Sequence, residues 1–371
     1  MHNSIGYRPT WAEINLNNLK HNLLEIKSII PGYVKVMACV KADAYGHGLI
    51  PVAKKLEASA VDYLSVASID EGILLREKGI KSPILILGVP LKGDIAPILK
   101  YNLSQTLCDY DFARALNKAA FLKSRKVKVH VKVDTGMGRL GVLCKQAYDF
   151  VCRLKRLSQL EIEGIFTHLS LADVNRDFTL HQARTFEALI RRLEHSKINI
   201  PLVHAANSMG IAAYKQSHFN MVRPGLVLYG LYPDENLSIN LKPVLSLKSK
   251  IVYAKRVPKG YGISYGYTYV TDKNSTIVNL PIGYGDGYPR NLSNLAPVLI
   301  GGRKFKISGR ICMDQIMVDV GNATVKIGEE VVFIGSQGKN TITTEELANL
   351  SGTIPYEIVC GLGSRIPRVY I

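Results

Sequence analysis

The 371-residue sequence is poor in features that mark several protein classes: it has one Trp, and its six Cys include no C-x-x-C pair. Six Cys in so long a chain do not make a disulfide framework, so we expect reduced thiols in a cytoplasmic protein. No apolar run approaches the roughly 18–20 residues of a membrane span, and the first residues contain no apolar segment of a secretory signal. HExxH, Walker A and paired Cys/His spacings are also missing, which predicts no metal site.

Positive charge is in excess, with 47 Lys and Arg against 30 Asp and Glu and a formal net charge of +17. Such an excess can indicate a nucleic-acid partner or an anionic substrate. The basic residues occur in short groups, and neither a zinc-finger nor an RNP1 pattern is present. We therefore expect no nucleic-acid partner. Nucleic-acid binding is an alternative function that only the net charge supports.

Short apolar runs alternate with helix-like segments over residues 1–240. Eight such units predict parallel strands joined by helices, and they fit a closed (β/α)₈ barrel better than an open sheet. From residue 241 to 371, short alternating runs are separated by Gly, Pro, Asn and Asp, which predicts a mainly antiparallel β-domain. A first strand near residues 10–16 is a candidate to pair with that later domain. The strand candidates of the barrel are 34–40, 62–67, 83–88, 103–108, 127–133, 161–168, 201–206 and 219–230.

Two segments match signatures that their surroundings do not support. GMGRLG (136–141) has the G-x-G-x-x-G spacing of a dinucleotide-binding turn, but it follows the fifth strand and does not open a Rossmann unit. GISYG (262–266) has the G-x-S-x-G spacing of a nucleophile elbow, but a β-branched segment without helical period follows it. We expect neither a nicotinamide enzyme nor a nucleophilic Ser264.

Polar residues cluster at the predicted carboxyl ends of the barrel strands, where barrel enzymes place their catalytic groups. A lysine amine there can condense with an aldehyde, and hydroxyl and backbone N–H groups can bind a phosphate. Together these functions indicate pyridoxal 5'-phosphate. The residues are Lys41, Tyr45, Leu87, Lys132, Arg139, His168, Asn207, Ser208, Arg223 and Gly225.

The order and length of several motifs resemble the alanine racemase family over essentially the whole chain. That family combines a barrel with a β-domain, as the strand pattern independently predicts. The matching segments are VKADAYGHG (40–48), KVDTGMGRLG (132–141), THLSLAD (167–173), HAANS (204–208), VRPGLVLYG (222–230), GISYG (262–266), GYGDGYPR (283–290) and GRICMDQIMVDV (309–320).

The resemblance implies two catalytic bases, Lys41 and Tyr265. Lys41 would bind the cofactor and act on the α-proton of D-alanine. Tyr265 would come from the partner subunit of a homodimer with shared active sites and act on L-alanine. Racemisation suits groups on opposite faces, because a proton leaves one face and returns to the other. His168 and Arg223 resemble the network that makes the tyrosine basic, and Arg223 also resembles the partner of the cofactor's ring nitrogen.

The resemblance further implies binding roles for residues of both domains. The cofactor would contact Lys41, Tyr45, Arg139, His168, Asn207, Ser208, Arg223, Gly225, Leu226 and Tyr356. A small amino-acid substrate would contact Arg139, Met313, Tyr284, Cys312 and Asp314. Lys132 matches a lysine that can carry a carbamate, which would orient Arg139.

The activity that the resemblance implies is interconversion of L- and D-alanine, which supplies D-alanine for peptidoglycan. A related racemase acting on serine or basic amino acids is the main alternative. An amino-acid decarboxylase fits Arg223 and Tyr265 less well. A single-barrel pyridoxal-phosphate-binding homeostasis protein would lack the β-domain.

Overall fold

The computed structural model describes residues 7–234 and 236–371. Residues 1–6, on which the expectation about a secretory signal partly rests, lie outside the described residues. Within the described ranges, no helix is both long enough and apolar enough to cross a membrane.

Eight parallel strands close into a barrel in the order β2, β3, β4, β5, β6, β8, β9, β10, with β10 pairing back to β2. The short strand β7 pairs in parallel with the end of β6, outside the closed ring. Strand β1 does not belong to the barrel and lies in the main sheet of the second domain. The strands are β1 (Thr10–Ile14), β2 (Lys35–Cys39), β3 (Tyr63–Val66), β4 (Ile84–Ile86), β5 (Ser104–Leu107), β6 (Val127–Asp134), β7 (Val142–Leu143), β8 (Leu160–Phe166), β9 (Leu202–His204) and β10 (Met221–Val222).

Amphipathic helices cover the barrel, and their apolar faces pack on the strands. In the longest of them, the Asn175 side chain caps the first turn, and Phe186, Leu189 and Leu193 are buried. The helices are α1 (Leu16–Ile29), α3 (Leu49–Ala58), α4 (Ile69–Glu77), α5 (Ile95–Tyr101), α6 (Tyr110–Leu122), α7 (Cys144–Leu154), α8 (Arg176–His195) and α9 (Ser208–Ala213). The short segment α2 (Lys41–Tyr45) has a left-handed backbone and is not one of these amphipathic helices. Short 3₁₀ turns include Lys92–Asp94, Lys215–Ser217 and Leu226–Tyr229.

The prediction of one long strand over 219–230 is wrong. Only Met221–Val222 is strand, and a 3₁₀ turn forms at Leu226–Tyr229. Pro224 has no N–H to donate to a ladder, and Gly225 adopts an irregular conformation with φ −119° and ψ −94°. The strand therefore ends early and turns Arg223 and Gly225 toward the mouth of the barrel.

The second domain is built mainly from antiparallel strands and two helices, so the predicted fold class is confirmed. Its largest sheet has the order β17, β16, β19, β11, β1, β21, in which β1 pairs antiparallel with β11 and parallel with β21. The elements are β11 (Leu245–Lys250), β12 (Tyr253–Val257), β13 (Gly262–Ile263), β14 (Tyr269–Val270), β15 (Ser275–Leu280), β16 (Pro297–Ile300), β17 (Arg303–Lys306), β18 (Ile316–Gly321), β19 (Glu330–Gln337), β20 (Asn340–Ile342), α10 (Thr344–Ser351), α11 (Pro355–Gly361) and β21 (Arg368–Tyr370), with 3₁₀ turns at Tyr265–Tyr267, Tyr284–Asp286 and Arg290–Leu292.

Candidate active site

A cavity of about 260 Å³ opens at the carboxyl ends of the barrel strands. It gathers eleven of the predicted site residues, and Leu226 lies fully buried beside Gly225. Cys39, Leu140 and Phe166 also line the cavity and were not predicted. The lining residues are Cys39, Lys41, Tyr45, Leu87, Lys132, Arg139, Leu140, Phe166, His168, Asn207, Ser208, Arg223, Gly225 and Tyr356.

Lys41 is held at the cavity by an unusual backbone turn. The four residues after it, 42–45, all have φ between 53° and 55°, which is left-handed and contains no Gly. Such a conformation costs about 1–2 kcal/mol per residue and must be held by its surroundings. Glu71 accepts a hydrogen bond from the Ala42 N–H at 2.6 Å, and Asp43 accepts one from the Leu49 N–H at 2.7 Å. The strained turn fixes Lys41 at the start and Tyr45 at the end of one short segment.

The cavity is strongly cationic. Its described lining includes Lys41, Lys132, Arg139 and Arg223 and no carboxylate. Burial lowers the pKa of Arg223 to about 10, so its guanidinium stays charged at neutral pH. Burial, followed by the charges of Arg223 and Arg139, lowers the pKa of His168 to about 3 and leaves this imidazole neutral. The charge distribution suits a ligand with more than one anionic group.

One wall of the cavity offers hydrogen-bond donors. The Ser208 hydroxyl accepts from the backbone N–H groups of Gly225 and Val227, at 3.1 and 3.4 Å, which leaves its own proton to be donated. A side chain at Gly225 would place its Cβ 2.5 Å from the Tyr45 hydroxyl, so only glycine allows that hydroxyl to approach. Donors of this kind, together with the nearby cations, are suited to a phosphate group.

Arg139 lies in the loop between β6 and β7, and one carboxylate shapes this loop. Asp134 accepts hydrogen bonds from the N–H groups of Gly136, Met137 and Gly138, at distances from 2.9 to 3.2 Å. The first three N–H groups of the G-x-G-x-x-G segment are therefore bonded to Asp134, and they are not free to bind a pyrophosphate. This loop-shaping role of Asp134 was not predicted, although an Asp two residues before a Gly is a known turn signal.

The predicted site residues of the β-domain form a separate surface cluster. Tyr265, Tyr284 and Met313 are exposed by 70%, 41% and 54%, and none of them lines the described part of the barrel cavity. Their loops are joined, because the Tyr284 N–H donates to the Cys312 carbonyl at 3.0 Å and the Ser264 hydroxyl donates to the Arg310 carbonyl at 2.6 Å. A 3₁₀ turn and β14 follow Ser264, so the G-x-S-x-G segment is not a strand–turn–helix elbow.

A buried carboxylate holds this surface cluster in place. Asp286 has no exposed side-chain surface and binds both the Arg8 guanidinium and, at 3.5 Å, Arg365 Nε. Arg365 also donates to Asp314 at 2.6 Å. One ion-pair network thereby joins the segment before β1, the surface cluster and the segment before β21.

Replacing Asp286 by Asn is expected to destabilise the protein by about 2 kcal/mol, because it leaves Arg8 without its buried counter-ion. The free energy of unfolding, measured by urea denaturation, checks this. Glu187 pairs with Arg191 on an exposed helix face and provides the control. Glu187→Gln should change stability by less than about 0.5 kcal/mol. Equal effects of the two substitutions would show that the Asp286 network has no special role.

In residues 7–234 and 236–371, no group of three or more His, Cys, Asp or Glu side chains could hold a metal ion.

The fold and the cavity define a barrel enzyme whose lysine faces a pocket suited to an anionic aldehyde cofactor.

Comparison with known proteins gives one family for both halves of the chain. Residues 14–233 match the alanine racemase N-terminal domain and residues 244–370 match the alanine racemase C-terminal domain. An alanine racemase from Halothermothrix orenii is 48% identical over 367 residues, covering 98% of this chain and 97% of its own. The chain belongs to the alanine racemase family.

Solved structures agree with this assignment. An alanine racemase from Clostridium difficile is 41% identical, with a TM-score of 0.92 over 98% of this chain and 96% of its own. Another, from Bacillus anthracis and solved with bound L-Ala-P, is 37% identical, with a TM-score of 0.92 over 98% of this chain and 95% of its own.

Proposed function

We propose that this protein is a cytoplasmic enzyme that interconverts L- and D-alanine and supplies D-alanine for peptidoglycan. The observation that carries the proposal is the cavity itself, in which Lys41 faces Arg139, Arg223 and a wall of hydrogen-bond donors suited to a phosphate. Pyridoxal 5'-phosphate fits this donor set, because it has one aldehyde for the lysine and one phosphate for the wall.

The chain's residues have distinct tasks toward that cofactor. Tyr45, Ser208, Gly225, Leu226 and Tyr356 would hold the phosphate, and Asn207 adjoins them. Arg223 would donate to the ring nitrogen, and as a permanent cation it would leave that nitrogen unprotonated. When bound, the cofactor supplies an electron sink that acidifies the α-proton of the amino acid. The choice of Arg at this position limits that sink and so disfavours side reactions such as transamination.

Two bases on opposite faces would move the α-proton. Lys41 would take it from or return it to D-alanine, and Tyr265 would do the same for L-alanine. Arg223 lies 3.4 Å from His168 Nδ1, so the neutral imidazole can accept from the guanidinium and face the tyrosine with its other nitrogen. This arrangement would support a basic hydroxyl at Tyr265.

A homodimer would complete each site. Tyr265 and Met313 are exposed on the β-domain, away from the cavity that holds Lys41, which supports their delivery to the partner's cavity. The Met313 backbone and Arg139 would bind the substrate carboxylate. Tyr284, Cys312 and Asp314 would surround the entrance and favour a small amino acid.

A racemisation screen tests the proposed function. The purified holoenzyme is incubated with each L-amino acid, and the loss of optical rotation is followed. Alanine is expected to react fastest. A higher rate with serine or a basic amino acid would favour the alternative of a broader racemase, and no racemisation of any amino acid would overturn the proposal.

Lys132 is expected to carry a carbamate. Burial, followed by the charge of Arg223, lowers its pKa to about 8, so the neutral amine that reacts with CO₂ becomes more abundant as the pH rises through 8. With ¹³C-bicarbonate, an NMR carbamate signal should therefore grow between pH 7 and pH 9. Lys132→Ala should remove the signal and lower activity by up to about 10²-fold through misplacement of Arg139.

Lys128, four residues earlier on β6 and 47% exposed, is the control for this experiment. Lys128→Ala should keep the signal. Full activity of Lys132→Ala with Arg139 in place would contradict the role of the carbamate.

A further inference from the structure

Behind Arg223, a column of four polar side chains runs along the inside of the barrel. Arg223 Nη1 lies 2.8 Å from His204 Nδ1, and His204 Nε2 lies 2.9 Å from His130 Nδ1. His130 Nε2 in turn lies 3.3 Å from a carboxylate oxygen of Glu163. All four side chains are buried, in a region that barrels of this kind usually fill with apolar residues. The column connects the cavity to the opposite end of the barrel.

The fold makes specific room for this column. A Cβ at Gly164 would lie 2.2 Å from His130 Nδ1, so only glycine on β8 lets the imidazole pack there. The β6–β8 register also shifts between Val129 and His130. His204 stacks on Phe166 with ring centroids 4.8 Å apart and an interplanar angle of 4°. Both imidazoles are therefore held in one orientation.

The end groups dictate the direction of every hydrogen bond. Arg223 can only donate, so His204 Nδ1 accepts and its proton is on Nε2. That proton is donated to His130 Nδ1, and the proton of His130 is then on Nε2 as well. It is donated to the Glu163 carboxylate, which can only accept. Both histidines are thus neutral Nε2–H tautomers with both nitrogens bonded.

The charged groups of the column, Arg223 and Glu163, lie at its two ends. Burial lowers the pKa of both His130 and His204, which keeps them neutral. Burial alone would raise the pKa of Glu163, but hydrogen bonds from His130, Lys128 and Tyr63 outweigh it and lower the pKa to about 2. The contact between His130 and Glu163 is therefore a hydrogen bond to a carboxylate and not an ion pair.

We propose that Glu163 is the counter-ion of Arg223, acting through His204 and His130, and that it is a positioning residue for the Arg223 guanidinium. The column is static: it fixes the direction in which Arg223 donates, and no proton needs to cross it. The inference rests on the proposed function, which assigns Arg223 to the ring nitrogen of the cofactor.

Glu163→Gln removes the charge while keeping the shape. Its amide can donate an N–H to His130, which reverses the direction of the hydrogen bonds along the column. The His204 Nδ1 then carries a proton and faces the N–H of Arg223, so that hydrogen bond is lost. We expect kcat to fall about tenfold with KM within about twofold, since Glu163 touches no substrate. The visible absorption band of the holoenzyme should also shift, because the donor to the cofactor ring is displaced.

Lys128→Met is the matched control. It removes the cation that binds the other oxygen of Glu163 at 2.6 Å, and it leaves the carboxylate and the column intact. We expect its kcat to stay within about twofold and its absorption band to be unchanged. Equal changes in both variants, or a loss in Glu163→Gln that lies in KM, would overturn the proposal and indicate a general packing role.

Neutron diffraction on the unmodified, deuterated holoenzyme tests the column even if Glu163→Gln does not fold. Deuterium is expected on Nε2 and not on Nδ1 of both His130 and His204. Deuterium on either Nδ1 would overturn the inference. Because the unmodified enzyme is assayed separately for racemisation, failure of the proposed function and failure of this inference are distinguishable.

Discussion

Lys41→Ala is expected to eliminate racemisation, with a loss of more than about 10⁴-fold. The substitution removes both the covalent anchor of the cofactor and one of the two bases. Spectroscopy separates these effects from a folding defect: the visible band of bound cofactor should vanish, while the circular dichroism and the melting temperature of the cofactor-free protein stay close to those of the unmodified chain.

Lys54, an exposed lysine on α3, provides the control. Lys54→Ala should keep both the visible band and the activity. Persistence of a lysine-linked visible band in Lys41→Ala would mean that another amine, such as that of Lys132, is the true anchor.

Tyr265→Phe is expected to lower racemisation by about 10²- to 10⁴-fold, the range for loss of one general base. The two enantiomers have equal free energy, so kcat/KM must fall equally in both directions and cannot reveal the face. Exchange of the α-proton for deuterium in D₂O can reveal on which face each base acts. Because Lys41 remains, D-alanine should still exchange, while exchange of L-alanine should fall with racemisation. Equal loss of exchange from both enantiomers would contradict the assignment of the faces.

Mixed dimers test whether the site is shared. A heterodimer of one Lys41→Ala chain and one Tyr265→Phe chain has one site with both changes and one with neither, if each site uses Lys41 from one chain and Tyr265 from the other. Purified heterodimers should therefore regain about half of the activity. Reassociated unmodified dimers provide the control. No recovery in proven heterodimers would mean that each chain holds both bases of its own site.

Much of the barrel could be predicted because its strands are short apolar runs at regular intervals. The pattern VKVHVKV over 127–133 also places Lys128, His130 and Lys132 on one face of β6, since alternate residues of a strand share a face. What the pattern could not reveal is that this face points into the barrel, or that His130 meets His204 from a distant strand. Such contacts depend on barrel closure and on the space at Gly164.

The turn after Lys41 could not be predicted for a different reason. The residues 42–45 are Ala, Asp, Ala and Tyr; only Asp among them adopts a left-handed backbone with any frequency, and then as a single residue and not in a run of four. The conformation is imposed from outside by Glu71 and by the Leu49 N–H that binds Asp43. Motif resemblance placed Lys41 at the site, but only tertiary structure reveals the strain that holds it there.

The pairing of β1 with β21 has a consequence for how the chain folds. Ala12 is in register with Arg368, and the Ile371 N–H donates to the Ile14 carbonyl at 3.0 Å. Contacts of such high sequence separation form late, because a long loop must close first. During synthesis on the ribosome, β1 therefore cannot pair until β11 and then β21 have been synthesised, whereas the barrel strands can already pair. We expect a nascent chain stalled before β21 to carry a formed barrel beside an unfinished β-domain.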